Sequence, residues 1–351
     1  MNKYKIAVIP GDGIGKEVVK EACKVLDSVS SLRNFKLEYT IFDWGSEYFF
    51  KNNKMMPEDG LNILQDFDSI FLGAVGDPKI QDHITLNGLL LPIRRKFDQY
   101  ICLRPSVLFE GVESPLKDVS SGQIDMVIIR ENTEGEYANV GGFQYENFPD
   151  EIAIQTSVFT RKGTERVIRY AFNLAKIRGG KLTSITKSNA QGYSMVLWDK
   201  VFAEVSKDFP EVDTESLLID AACMDFIRRP SDFDVIVASN LFGDILTDIA
   251  AMITGGLGLA SSGNISQSKD NPSMFEPTHG SAPDIAGKNM ANPLAQILTG
   301  AMMLSHLGED DAANSIRDAV KSVLKNGDNL TADLGGKSST TDCTDDVISK
   351  L

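Results

Sequence analysis

Short apolar runs ("KIAVIP", "SIFLGAV", "DMVIIR" and "DVIVAS") alternate along the chain with long amphipathic ones such as "GKEVVKEACKVLDSV", "TERVIRYAFNLAKI", "MVLWDKVFAEVSKDF" and "PLAQILTGAMMLSHL". A brief apolar run without alternation suits a strand buried on both faces, and helical periodicity suits the crossover that follows it. The pattern predicts an α/β fold. With 351 residues the chain can bury a large core and is long enough for two domains. No repeat, low-complexity tract or Pro- or Ser-rich linker marks a boundary between them. One stretch departs from the pattern: "NVGGFQYENFPDEIAIQTSVF" is alternating and punctuated by glycine. It reads equally as an ordinary hairpin or as an extension that pairs with another subunit.

A formal net charge of −14 argues against nucleic acid or an anionic membrane as a partner. The opening "MNKYKIAVIP" enters a strand without a secretory core, and no apolar run is long enough to span a bilayer. Four dispersed cysteines and only 3 histidines suit a reducing cytoplasm and make a zinc site improbable. An acidic protein that handles an anion must concentrate cations locally, and "LPIRRKFDQYICLRP" does so with Arg94, Arg95, Lys96 and Arg104. Arg130 closes the apolar run "IDMVII", and the end of a buried strand is where α/β proteins keep their ligands.

The run "VASNLFGDILTDIAAMITGG" presents an electrostatic problem. Asn240 suits a helix N-cap, apolar residues from Leu241 to Ile253 recur at helical spacing, and Gly255 and Gly256 end the helix. Asp244 and Asp248 then share one face. No lysine or arginine occurs between Arg229 and Lys269, and apolar flanks on almost every side suggest a buried helix. Two like charges so placed cost about 0.2–0.5 kcal/mol in water and far more when buried unpaired. A solvated acidic edge and a shared hard cation such as Mg²⁺ or Mn²⁺ are both open on the pair alone.

Two glycine-bearing loops complete the picture. "IPGDGIGKEV" joins a strand to a helix, but Gly11, Gly13 and Gly15 are evenly spaced, unlike the dinucleotide fingerprint of a Rossmann domain. "EPTHGSAPDIAGKNMANP" is too polar for a core, and the backbone N–H groups of Gly280 and Ser281 suit a phosphate.

These motifs, with "RENTEGEYA" and "TKSNAQ", stand in the order found in the β-decarboxylating dehydrogenases, and the chain resembles that isocitrate/3-isopropylmalate dehydrogenase family from Ile6 to Gly336. "DHITLNGLLLPIRRKFDQY" and "ENTEGEY" look most like its tartrate and D-malate branch, and Asn87 stands where isopropylmalate enzymes carry a glutamate. The resemblance implies a two-domain fold that is not a Rossmann fold. It joins residues 1–99 and 250–351 in a cofactor domain and 100–249 in a substrate, metal and dimerisation domain, with a β arm around 138–158 at the dimer interface.

The resemblance also implies roles. Asp244 and Asp248 would bind Mg²⁺ or Mn²⁺ with Asp220 of a second subunit. Arg94, Arg104 and Arg130 would hold the carboxylates of a small dicarboxylate, with Leu90 beside its C3 substituent. Tyr137 and Lys187 would be the acid/base pair, Lys187 reaching across a homodimer. His279, Gly280, Ser281, Ala282, Asp284, Ile285 and Asn292 would bind NAD.

The implied reaction is NAD- and metal-dependent oxidative decarboxylation of a (2R)-2-hydroxy acid bearing a C3 carboxylate. D-malate or a tartrate is the expected substrate, and 3-isopropylmalate is the alternative, for which Leu90 and Leu91 would suit the isopropyl group. The chemistry fits the residue types. A lysine acts as a base only from its neutral form, which desolvation and a nearby cation favour. Arginine binds carboxylates with a planar fork that never loses its charge.

Overall fold

The computed structural model describes residues 1–351 and contains twelve strands. They are β1 Lys3–Gly11, β2 Lys36–Ile41, β3 Ser69–Ala74, β4 Ile101–Val107, β5 Asp125–Glu131 and β6 Gly135–Gln144. The others are β7 Ile152–Val158, β8 Lys181–Thr186, β9 Asp213–Leu218, β10 Val235–Ala238, β11 Ser261–Ile265 and β12 Ser273–Pro277. The chain divides into two compact units. One comprises Met1–Gln99, Arg104–Gln123 and Ala251–Leu351, the other Tyr100–Leu103 and Ile124–Ala250. Residues 104–123, read from the sequence as part of the second domain, thus lie in the first unit.

In the first unit the strands run β2-β1-β3-β12-β11. All neighbours are parallel except β11, which pairs antiparallel with β12. Strand β3 is buried along its whole length, as "SIFLGA" requires of a central parallel strand. Helices Gly15–Arg33 and Leu294–His306 pack against this sheet, and helices Asp310–Asn326 and Thr340–Ser349 pack on them. Helix Leu294–His306 is buried from Leu294 to Leu304, which explains a sequence with almost no polar face. Helix Gly15–Arg33 ends at Asn34, whose left-handed backbone (φ 61°) returns its N–H to the Ser30 carbonyl. A second apolar cluster gathers Trp44, Met55, Leu72, Leu89, Ile93 and Phe97.

The second unit contains the parallel run β5-β10-β8-β9. The four residues of β10, "VIVA", are all buried between β5 and β8. Helix Arg161–Ile177 starts at Thr160, whose side chain accepts from Gly163 N. Its Phe172 stacks on Phe202 and Phe209, with centroids 5.3 and 5.0 Å apart. Trp198 is fully buried and donates from Nε1 to Ser184 Oγ at 3.0 Å.

Strands β6 and β7 form a separate antiparallel hairpin. It exposes Phe143, Tyr145, Phe148, Ile152 and Ile154. No helix is long and apolar enough to cross a membrane.

Candidate active site

Strand β5 delivers Arg130 to the start of helix Asn240–Ile253, because Ala238 at the end of β10 is its register partner. The guanidinium is buried. Its Nε and Nη2 donate to Asn240 Oδ1 at 3.0 and 2.7 Å, and Nη1 donates to Asp244 Oδ1. Gly243 makes this approach possible, since a Cβ there would overlap the Arg130 side chain. Tyr137 completes the cluster: its hydroxyl donates to Asp244 Oδ2 at 3.0 Å, and its ring lies 5.4 Å from Arg130 Cζ.

Asp244 therefore has a neutraliser that the sequence around it did not reveal, 114 residues away on another strand. Asp248 lies one turn further on and is exposed, as are Ile245 and Met252. The helix is thus not enclosed on all sides as its composition suggested; Ile245, Asp248 and Met252 face outward. Asn240 differs from expectation too. It is the first helical residue, and its amide serves Arg130 and the Glu134 carbonyl. The N-terminus is satisfied by Glu136, whose carboxylate accepts from Leu241 N at 3.2 Å and Ser239 Oγ at 3.1 Å. A carboxylate at a helix start also opposes the helix dipole favourably.

The rest of "RENTEGEY" is held equally firmly. Glu131 is buried and accepts from Thr133 N and Oγ1 and from Glu134 N, while burial raises its carboxyl above the usual range. Glu134 accepts from Thr160 N and Oγ1 at 2.8 and 2.6 Å.

Lys187 follows β8 and pairs with Asp220 in the first turn of helix Ile219–Arg228, Nζ to Oδ1 at 2.5 Å. The hydrogen bond from Lys187 holds the Asp220 carboxyl below its ordinary range. The chain alone does not gather Asp220 with Asp244 and Asp248, and no group of three or more His, Cys, Asp or Glu side chains is arranged for a metal.

In the first unit Arg94 is buried against Glu276, Nη2 to Oε1 at 2.7 Å, and Asn264 Nδ2 donates to the same oxygen at 2.8 Å. Arg104 is also buried, whereas Arg95 and Lys96 are exposed. Leu90 and Leu91, expected beside the substrate, are 6% and 7% exposed, and Leu90 belongs to the apolar cluster around Trp44.

The second glycine-bearing loop docks on the first. Ile14 N donates to the Ser281 carbonyl at 2.8 Å, and Gly13 (φ 52°) sits so close that a Cβ would overlap that oxygen. Ala282, Ile285 and Ala286 pack on Ile14, Val18 and Ala291. Glu17 accepts from Gly287 N and Asn289 N at 3.1 and 3.0 Å. Asn292 donates to Asp333 at 2.9 Å. Gly280 and Asp284 are left exposed. Burial lowers the pKa of His279, whose Nε2 is enclosed without a partner.

Sequence reasoning missed Asp12, Glu136, Asn240 as an arginine ligand, and Glu276. Each has a polar identity beside a recognised motif, but its partner is distant in sequence.

Comparison with known proteins supplies the lineage. Residues 5–347 match the isocitrate/isopropylmalate dehydrogenase family model. The chain is 50% identical over 353 residues to a probable tartrate dehydrogenase/decarboxylase of Bacillus subtilis (strain 168), covering 100% of this chain and 99% of that one. It is 47% identical over 355 residues to the decarboxylating D-malate dehydrogenase of Escherichia coli (strain K12), covering 99% and 98%. Its fold superposes on the isocitrate dehydrogenase of Methylococcus capsulatus with a TM-score of 0.88 at 35% identity, covering 99% of both chains. With a buried arginine, a tyrosine and an aspartate assembled on this fold, the chain belongs to the isocitrate/isopropylmalate dehydrogenase family.

Proposed function

We propose that this chain catalyses NAD- and divalent-metal-dependent oxidative decarboxylation of a (2R)-2-hydroxy acid bearing a C3 carboxylate, with D-malate or a tartrate as substrate. The observation that carries this reading is the Arg130–Asp244–Tyr137 cluster, in which a fixed cation from β5 and a phenol from β6 meet a carboxylate on helix Asn240–Ile253. The tartrate and D-malate dehydrogenases at 50% and 47% identity support the substrate.

Asp244 and Asp248 fit a hard cation. They offer oxygen donors one turn apart, and Mg²⁺ is commonly held by one or two carboxylates with substrate and water completing the shell. Arg130 and Tyr137 each engage one oxygen of Asp244, and a carboxylate has about four lone-pair sites, so acceptor capacity remains. When bound, the metal supplies Lewis acidity at the C2 oxygen.

The chain's own residues do the rest. Arg94, Arg104 and Arg130 bind and orient the carboxylates. Lys187 removes the C2 hydroxyl proton; engagement of Asp220 at the metal would take away the carboxylate that now pairs with it and leave the amine to act. Tyr137 gives a proton to C3 after CO₂ departs. His279, Gly280, Ser281, Ala282, Asp284, Ile285 and Asn292 form the NAD site.

The working unit is a homodimer in which Lys187 and Asp220 serve the partner's site. Met224 and Ile227 on helix Ile219–Arg228, Ile245 and Met252 on helix Asn240–Ile253, and the β6–β7 hairpin all expose large apolar side chains, as an interface would.

Steady-state turnover of D-malate, tartrates, isocitrate and 3-isopropylmalate tests the substrate. A pocket built for isopropyl would gain about 0.8 kcal/mol per carbon, roughly 2 kcal/mol or thirtyfold. D-malate or a tartrate is expected to have the highest kcat/KM, and a thirtyfold preference for 3-isopropylmalate would overturn the assignment. Chelator should abolish turnover and Mn²⁺ or Mg²⁺ restore it. Full activity in metal-free enzyme would exclude the mechanism.

A further inference from the structure

Asp12 lies in the loop after β1 and is 6% exposed. Its carboxylate accepts from Ser46 N at 2.9 Å, Ser46 Oγ at 2.6 Å and Gly76 N at 2.8 Å. Ser46 belongs to the segment after β2 and Gly76 to the segment after β3, so one side chain joins the C-terminal ends of three adjacent parallel strands. Its own N–H donates to the Ala74 carbonyl at 2.6 Å. The next two residues, Gly13 and Ile14, form the seat on which Ser281 rests.

We infer that Asp12 is a positioning residue for the cofactor: by tying the three strand ends together it fixes the seat of the Ser281 loop, and so sets the affinity for NAD. The inference rests on the reading of His279–Asn292 as the NAD site. The physical reason is the matching of one acceptor to three donors. A carboxylate accepts at both oxygens, whereas an amide of the same shape must present its N–H₂ either to Ser46 N or to Ser46 Oγ and Gly76 N, and in either orientation a backbone N–H is left unmatched. Gly13 lies against the Ser281 carbonyl so closely that an added Cβ would overlap it, which leaves little room for the loop to shift.

Kinetics of Asp12→Asn and Ser46→Ala, both as the intact enzyme, test this. Asp12→Asn is expected to raise KM and Kd for NAD about tenfold, with kcat and the hydroxy-acid KM changing less than twofold. Ser46→Ala removes a single donor and keeps the carboxylate, so a shift of two- to threefold in the same direction is expected. If Asp12→Asn fails to fold, Ser46→Ala carries the test by itself. Equal shifts in both KM values, or an unchanged NAD affinity in a folded variant, would show that Asp12 serves stability alone. A wild-type enzyme that neither binds nor uses NAD would overturn the cofactor reading and this inference together, and direct titration of NAD into wild type separates that outcome from the others.

Discussion

Residues Arg130–Tyr137 and the loop His279–Asn292 are both dense in polar side chains, but they are held in opposite ways. In the first, Arg130, Glu131, Glu134, Glu136 and Tyr137 each spend their side chains on hydrogen bonds within the second unit. In the second, the polar attachment to the first glycine loop and its helix runs through main-chain atoms, Ser281 O, Gly287 N and Asn289 N, and Asp284 is exposed. The first arrangement preorganises charge before any substrate arrives, which is where electrostatic catalysis gains most. The second fixes a loop's path while leaving the Asp284 side chain open to change. Chemistry is therefore expected to be intolerant of substitution, and cofactor choice to be tunable at little cost in stability.

The largest effect should come from the preorganised segment. Tyr137→Phe removes the proposed proton donor and is expected to lower kcat by about 10²–10⁴, with a native circular dichroism spectrum. Lys187→Ala should be equally inactive. Mixed in equal amounts and allowed to exchange, the two inactive variants should regain activity, because one site of each hybrid dimer escapes both changes. No recovery after verified exchange would place Tyr137 and Lys187 in the same site.

A smaller effect is expected in the loop. Asp284 would repel a 2′-phosphate; two unit charges ~4 Å apart at an effective dielectric of ~20 interact by roughly 4 kcal/mol, a ceiling that salt and loop relaxation reduce. Half of it still gives more than tenfold preference for NAD over NADP. Asp284→Asn should narrow that ratio without changing the melting temperature. A wild-type enzyme equally efficient with NADP would break the contrast between the two regions.

Smaller again is the cap. Glu136→Ala removes the acceptor for Leu241 N and Ser239 Oγ and should cost about 1 kcal/mol of unfolding free energy. Urea denaturation measures it.

The smallest effect concerns His279. Burial favours its neutral form, so its contribution to stability is present above the ordinary histidine value and is lost as pH falls through the lowered one. A proton NMR titration giving His279 an ordinary or raised midpoint would contradict this burial.

The α/β class was legible because central parallel strands leave long apolar signatures, as in "VIVA" and "SIFLGA". Arg130 was legible as a strand-terminal cation after a buried run. The neutraliser of Asp244 was not, because it lies on a separate strand and no local pattern encodes the pairing. Asn240 was misread for a related reason: asparagine is a good N-cap, but Arg130 claims its carbonyl and Glu136 takes over the capping. Leu90 shows the limit for apolar residues, since the same side chain serves a pocket wall or a core and only its surroundings decide. Asp12 sits inside a glycine motif that reads as a backbone feature, and its three donors come from a helix start 34 residues away and a loop 64 residues away.

The placement of β12 beside β3 bears on synthesis. Ser273 is the register partner of Ser69, so about 200 residues must be made before β3 gains that neighbour. At the ribosome's pace of about 5–20 residues per second, the edge of β3 waits roughly 10–40 s while the second unit is completed. An unpaired apolar edge is an invitation to other strands. The nascent first unit is thus the segment most in need of chaperone cover, and truncation before β12 would leave that edge permanently open.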